Sequence, residues 1–229
     1  MDNILLKYMS GRFPEEIKEL AELLPIITLS REYGCYASRI AILLTERLAK
    51  ITKAKPPKEW KYISREVLEK AAEELNLKPE KISHVFGAKE KGTLTDIIES
   101  FSSRRYASDA KIKRTITQIV RSYASEGNVV IVGRAGCMIA KDFSKAIHIK
   151  LTAPFEWRAK RIANRYKISE MEARNKVMEV DENRTIFMSY FKGNKPESDL
   201  FDIIFNRMTL QEEEIVEAIV RVLQVKKFI

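Results

Sequence analysis

Short apolar runs alternate with longer amphipathic segments along most of this 229-residue chain. The clearest run is VVIV at residues 129–132, bounded by glycine-containing turns, which is typical of a strand buried on both faces. Helical periodicity fills most of the intervals between such runs. This alternation predicts a three-layer α/β/α fold with a five-stranded, mostly parallel sheet. The other predicted strands cover residues 26–29, 62–63, 146–151 and 202–205.

In folds of this kind, ligands bind at the carboxyl ends of the strands. The chain leaves a predicted strand at three places that carry polar residues or glycine: residues 30–39, 133–136 and 152–154. The topology allows all three turns to face one crevice. We therefore expect the ligand site to be built from them.

The first of these turns has the order strand, glycine-containing loop, helix, which binds phosphate through backbone N–H groups and the positive helix end. The Walker form of such a loop is GxxxxGK[ST]. In this chain Tyr36 stands at the second glycine and Ala37 at the lysine. Ser38 falls at the position whose hydroxyl would coordinate magnesium, and Gly34 is the remaining small residue. Taken alone, the segment is also compatible with an ordinary strand-to-helix turn.

Charge and composition narrow the class of partner. The net charge is +9 and the isoelectric point about 9.4, which favours a polyanionic ligand. The basic residues form no like-charged tail and are not interleaved with aromatics, which argues against a nucleic-acid-binding protein and for a compact phosphate ligand. No apolar stretch is long enough for a membrane span, and the first residues lack the features of an export signal. Cys35 and Cys137 lack zinc-site spacing, so we expect a reduced cytoplasmic protein without structural zinc.

The sequence ITLSREYGCYASRIA at residues 27–41 resembles the opening of the cytidylate kinase-like family, in which a strand leads into SRxxGSGGREIA. The matching positions are Ser30, Arg31, Glu32, Gly34 and Arg39. The departures are Cys35, Tyr36, Ala37 and Ser38.

Three further segments resemble the same family in the same order. They are EGNVVIVGRAG at residues 126–136, HIKLTAPFEWRAKRIANRY at 148–166, and the pair 181–191 and 199–209. Together with the loop they cover roughly residues 26–220. The resemblance therefore implies the P-loop NTPase fold, of the nucleoside-monophosphate kinase kind.

The family resemblance implies a phosphotransferase that uses ATP and Mg2+ and a small phosphate acceptor, for which CMP is one candidate. Two alternatives remain open. The replacement of glycine and lysine by Tyr36 and Ala37 favours a nucleotide-binding protein without turnover, and the charge of +9 alone suggests a nucleic-acid-binding protein. The implied partners are a nucleotide and the acceptor, with no membrane, and the chain is expected to be a monomer or a homodimer.

Arginine suits such a site because its planar guanidinium binds phosphate through two hydrogen bonds and stays charged. By position, the resemblance implies catalytic roles for Arg39, Arg134 and Arg161 and a magnesium ligand in Ser38. Either Arg31 or Arg39 could replace the missing lysine, or Arg39 could pair with a carboxylate such as Glu32. Arg158, Arg161 and Arg165 follow the spacing of one helix face. The donor-binding residues implied by position are Arg31, Gly34, Cys35, Tyr36, Ala37, Ser38, Arg158, Arg165 and Arg184.

The predicted organisation is an N-terminal helical arm at residues 1–24, followed by one P-loop kinase-like domain at 25–229. Within that domain, residues 51–106 would form a helical insertion on the acceptor side, and residues 158–192 would form the lid. The arm would cover a sheet edge or make a dimer contact, and the sequence does not choose between them.

Overall fold

The computed structural model describes residues 24–54, 58–64, 66–74, 109–192 and 196–229. The predicted arm lies outside the described residues except for Leu24. Most of the predicted insertion at 51–106 also lies outside them, so the proposed division of the chain stays a prediction.

The described strands form one five-stranded sheet in the order β2-β3-β1-β4-β5, and every neighbouring pair is parallel. This confirms the predicted sheet. The strands are β1 Ile26–Arg31, β2 Lys61–Ile63, β3 Val129–Val132, β4 Ala146–Thr152 and β5 Ile203–Asn206.

Helices connect the strands, as parallel pairing requires. The last of them begins with a capping box, in which the Gln211 side chain accepts from the backbone of Glu214 and the Glu214 side chain accepts from the backbone of Gln211. A 3₁₀ helix at Glu197–Leu200 precedes β5. The α-helices are α1 Ala37–Thr52, α2 Glu66–Glu74, α3 Asp109–Glu126, α4 Gly136–Ile139, α5 Phe155–Tyr166, α6 Glu170–Lys192 and α7 Glu212–Val225.

The sheet separates two apolar cores, which confirms the three-layer arrangement. On one side α1 and α7 pack against residues such as Ile27 and Ile149, and on the other α2, α3 and α4 pack against residues such as Ile26 and Ile131. All four residues of β3 are buried, as predicted for a strand covered on both faces. Each fully buried side chain of this size contributes about 1.5–3 kcal/mol of transfer free energy.

A third apolar cluster joins α5 to α6 and extends to the β1–α1 loop. It is built from Ile162, Ala173 and Val177, with Tyr33 and Tyr36 of the loop packed against it. Among the described residues, no helix is long and apolar enough to cross a membrane.

The order of the strands fixes where the chain can bind a ligand. β1 lies at the centre, between β3 and β4. The connection after β1 leads to one edge of the sheet and the connection after β4 to the other, and ligands bind at such switch points. The switch point therefore lies between the carboxyl ends of β1 and β4, and the carboxyl end of β3 lies next to it on the other side of β1.

Candidate phosphate site

A cavity of about 610 Å³ opens at the carboxyl ends of β1 and β3, under the second half of α6. Two of the three predicted turns, at residues 30–39 and 133–136, contribute to its wall. The cavity is strongly cationic, with six basic side chains against two acidic ones, and therefore suits an anionic ligand. The charged lining residues are Arg31, Arg134, Lys150, Arg158, Arg184, Lys192, Glu32 and Asp181.

Three of these side chains, Arg31, Arg134 and Arg184, form what we call the arginine triad. Arg31 lies at its centre against Gly133, so closely that a Cβ on Gly133 would be 2.0 Å from the Arg31 Nη1 atom. Burial, together with the charges of Arg184 and Arg134, lowers the pKa of Arg31 below its ordinary value. The charges of Arg184 and Arg134 thus disfavour the charged form of Arg31, and an anion bound among the three would offset that repulsion.

The three arginines differ in how they are held. Arg134 has left-handed backbone geometry, with φ 55°, and its Nε donates to the Ser64 carbonyl at 3.2 Å. Arg184 donates from Nη1 to the Arg31 carbonyl at 3.3 Å and lies 3.5 Å from Asp181 Oδ1. Among the described residues, no acceptor lies within hydrogen-bonding distance of the Arg31 guanidinium. Arg31 is therefore the member that most needs a ligand.

Arg158 contributes to the cavity wall, but its guanidinium is engaged by groups of the protein itself. Its side chain is 8% exposed. Its Nε donates to the Ala153 carbonyl at 2.9 Å and lies 3.3 Å from Glu32 Oε2, while Nη1 donates to the Tyr33 carbonyl at 3.1 Å and to Asp181. Arg158 therefore joins the loop to α5 and α6.

Glu32 is held on its other side by the turn after β4. The Thr152 hydroxyl donates to Glu32 Oε2 at 2.7 Å and the Ala153 N–H donates at 3.0 Å. The third predicted turn, at residues 152–154, thus supports the site through Glu32.

We expect Arg158→Ala to lower the free energy of unfolding by about 3 kcal/mol, the low end of the cost of breaking a buried ion pair, because both carboxylates keep some solvent contact. The substitution leaves Glu32 and Asp181 without their shared cation. Urea denaturation measures the change. Arg174→Ala is the control, since Arg174 pairs with Glu156 at an exposed position. A loss no larger than that of the control would contradict the structural role of Arg158.

Tyr36 stands at the position of the second Walker glycine and packs against two arginines of α5. It has left-handed backbone geometry, with φ 51°, and its ring lies 4.7 Å from the Arg161 guanidinium and 4.6 Å from that of Arg165. Arg161 also lies 4.5 Å from the Trp157 ring. The Tyr36 hydroxyl is buried, and no described residue gives it a hydrogen-bond partner. The sequence placed Arg158 on one face with Arg161 and Arg165, but only the latter two stack on Tyr36, because Arg158 turns into the ion pairs.

Ser38 and Arg39 are both exposed in the first turn of α1. Arg39 Nε lies 3.5 Å from Glu212. Arg39 therefore does pair with a carboxylate, as one of the two alternatives suggested, but that carboxylate is Glu212 and not Glu32, which pairs with Arg158. Of the two loop arginines considered as a substitute for lysine, Arg31 is the one that lines the cavity.

The remaining loop residues shape the turn. Gly34 has φ +93°, and a Cβ there would be 3.1 Å from the Arg158 Cβ, so the position favours glycine. Cys35 is buried, and burial raises its pKa to about 11, which makes it a packing residue and not a reactive thiol. Ala37 is buried at the start of α1.

The sequence pattern did not single out Asp181 or Lys150, although both line the cavity. Asp181 could have been found from its spacing, because an acidic residue three positions before Arg184 lies next to it on a helix. Within the described part of the chain, no group of three His, Cys, Asp or Glu side chains could hold a metal ion.

Comparisons with known proteins agree with this architecture. The model of the cytidylate kinase-like family matches residues 26–209. A cytidylate kinase of Sulfurisphaera tokodaii is 29% identical over 167 residues, which cover 72% of this chain and 89% of that protein. A cytidylate kinase of Ignicoccus hospitalis is 36% identical over 101 residues, which cover 44% of this chain and 58% of that protein.

A crystal structure of an uncharacterized protein from Eubacterium ventriosum has a similar fold, with a TM-score of 0.61 at 19% identity. The likeness covers 88% of this chain and 99% of that one. The family match spans β1 to the end of β5, together with the loop and the arginine triad. The chain belongs to the cytidylate kinase-like family.

Proposed function

We propose that this protein transfers the γ-phosphoryl group of ATP to a small phosphate acceptor, and that CMP is the first acceptor to test. The observation that carries the proposal is the guanidinium of Arg31, which lines the cavity between Arg134 and Arg184 without a described acceptor. Membership of the cytidylate kinase-like family supports the same reaction class.

The arginine triad supplies what phosphoryl transfer needs from a protein. The transferring group spreads its charge over three oxygens, so catalysis rests on positioning and on charge stabilisation. Arg134, at the end of β3, would bind the acceptor phosphate. Arg31 would replace the missing lysine at the transferring group, and Arg184 would reach the same group from α6.

The donor would bind at the β1–α1 loop and the N-terminal end of α1, where backbone N–H groups and the helix dipole favour phosphate. Arg161 and Arg165 lie beside this end of the loop, stacked on Tyr36. Arg39 is exposed there and would make a further contact with the donor.

Mg2+ fits the site only in part. The Ser38 hydroxyl is exposed in the first turn of α1 and would be one ligand, with phosphate oxygens and water as the others. Glu32 and Asp181 are the nearby carboxylates in the cavity wall, and both are paired with Arg158. When bound, the ion would neutralise charge on the donor phosphates.

A second candidate is a nucleotide-binding protein without turnover. It is favoured by Ala37 at the lysine position and by the Tyr36 ring that engages Arg161 and Arg165. A cytoplasmic location and the choice between monomer and homodimer stay predictions from the sequence.

The test is ATP-dependent phosphorylation across a panel of nucleoside monophosphates, alongside calorimetric ATP binding. We expect turnover of at least one acceptor, with kcat/KM at least about a hundredfold lower in Arg134→Ala. Arg221→Ala, at an exposed position on α7, should leave the rate unchanged. ATP binding without turnover would favour the second candidate, and the absence of ATP binding would remove both.

A further inference from the structure

Asp181, in the middle of α6, joins three parts of the site through one carboxylate. Its Oδ1 accepts from the Tyr33 N–H of the β1–α1 loop at 2.7 Å, and its Oδ2 accepts from Arg158 of α5. Arg184 of α6 lies 3.5 Å from Oδ1. The side chain is partly shielded from water, at 26% exposed, so these charge-assisted contacts are stronger than they would be on an open surface.

Together Asp181 and Arg158 fix the orientation of the Tyr33 residue in the loop. Asp181 holds its N–H, and Arg158 holds its carbonyl at 3.1 Å. Gly34 follows directly and packs against the backbone of Arg158. The shape of the loop therefore depends on α6 as well as on its own sequence.

Asp181 also balances the charge of the arginine triad. Burial lowers the pKa of Arg184, and the Asp181 carboxylate opposes part of that decrease. Arg184 in turn donates to the Arg31 carbonyl, so a displacement of the Arg184 side chain would remove a contact that holds Arg31. Without this carboxylate, the electrostatic repulsion among the three arginines of the triad would be less compensated.

We infer that Asp181 is a positioning residue, which holds the phosphate loop and Arg184 in the geometry that an anion in the cavity requires. The inference rests on the proposed function for its kinetic part. Asp181→Asn keeps an oxygen for the Tyr33 N–H but removes the charge that pairs with Arg158 and Arg184. A displacement of about 1 Å at such a site can reduce a rate a hundredfold.

The first experiment measures kinetics and the binding of pyrophosphate by calorimetry. In Asp181→Asn we expect kcat to fall about tenfold to a hundredfold and KM for ATP to rise by up to about tenfold, because the loop that Asp181 holds is the proposed site of the donor phosphates. Pyrophosphate affinity should fall about tenfold. Glu170→Gln removes the same charge from an exposed position on α6 and should change none of these.

The second experiment follows the Tyr33 amide by NMR hydrogen exchange, which we expect to be at least about tenfold faster in Asp181→Asn. If that variant fails to fold, Asp181→Glu keeps the charge and displaces it by one methylene, with a fall in kcat of about tenfold as the expected result.

The outcomes separate the two proposals. Pyrophosphate binding without turnover in the wild type would overturn the proposed function, and the amide exchange and pyrophosphate affinity would still test Asp181. Wild-type turnover with unchanged kcat and exchange in Asp181→Asn would overturn the positioning role alone. A wild type that binds neither pyrophosphate nor ATP would overturn both.

Discussion

Arg31→Met should reduce kcat/KM for the proposed reaction by at least about a thousandfold, because an arginine that stabilises the transferring phosphoryl group contributes that much or more. The same substitution should raise the free energy of unfolding by about 1 kcal/mol. It removes a partly buried cation that Arg184 and Arg134 repel, and an apolar side chain of similar length would relieve that repulsion. Activity and stability are thus expected to move in opposite directions.

Steady-state kinetics and urea denaturation of the same preparations measure the two effects. Arg221→Met, on the exposed side of α7, is the matched control and should change neither by more than about 0.5 kcal/mol. A loss of stability in Arg31→Met would mean that Arg31 serves mainly to hold the fold. Unchanged kcat/KM would remove it from the proposed chemistry.

Gly133→Ala should also impair function, because it displaces the Arg31 guanidinium instead of removing it. The new Cβ would lie 2.0 Å from the Arg31 Nη1 atom, so the guanidinium must leave its place in the arginine triad. The backbone there has φ +74°, which costs an additional 1 kcal/mol or so for alanine. We expect pyrophosphate affinity to fall at least about a hundredfold, together with a loss of stability.

Gly127→Ala is the control that separates the displacement of Arg31 from a general loss of stability. Its φ is +67°, and a Cβ there would lie 2.2 Å from the Leu24 Cβ, so it is also strained and crowded, but it does not line the cavity. It should lower the urea midpoint and leave pyrophosphate affinity within about threefold of the wild type. Equal losses of affinity in the two variants would show that general destabilisation, and not the displacement of Arg31, is responsible.

The sheet could be predicted from the sequence because its determinants are local. The run at residues 129–132 is β-branched throughout, and each buried strand is followed by a segment with helical periodicity. Even short strands such as β2 and β5 were found within one or two residues of their ends. The order of the strands was not predicted, since it depends on which helices share a face of the sheet.

The site could be predicted only in part. The sequence identified the loop and the arginines by position, but it could not tell that Arg158 is engaged in buried ion pairs, whereas the Arg31 guanidinium has no acceptor among the described residues. Those assignments depend on contacts between distant residues, such as Arg158 with Tyr33. Asp181 was missed for the same reason, because a carboxylate on a charged helix looks like a solvent-exposed residue until its partners are known.

The contact between the Tyr33 N–H and Asp181 spans 148 positions in the sequence. The loop therefore cannot keep this backbone geometry when it is separated from α5 and α6. A peptide of residues 26–41, or the same segment transplanted into another α/β scaffold, would lack the carboxylate and the arginine that set its backbone. For engineering, the smallest unit that carries this binding geometry includes both the loop and its distant helix. A search for relatives that uses the loop motif alone would omit the α6 carboxylate on which the loop geometry also depends.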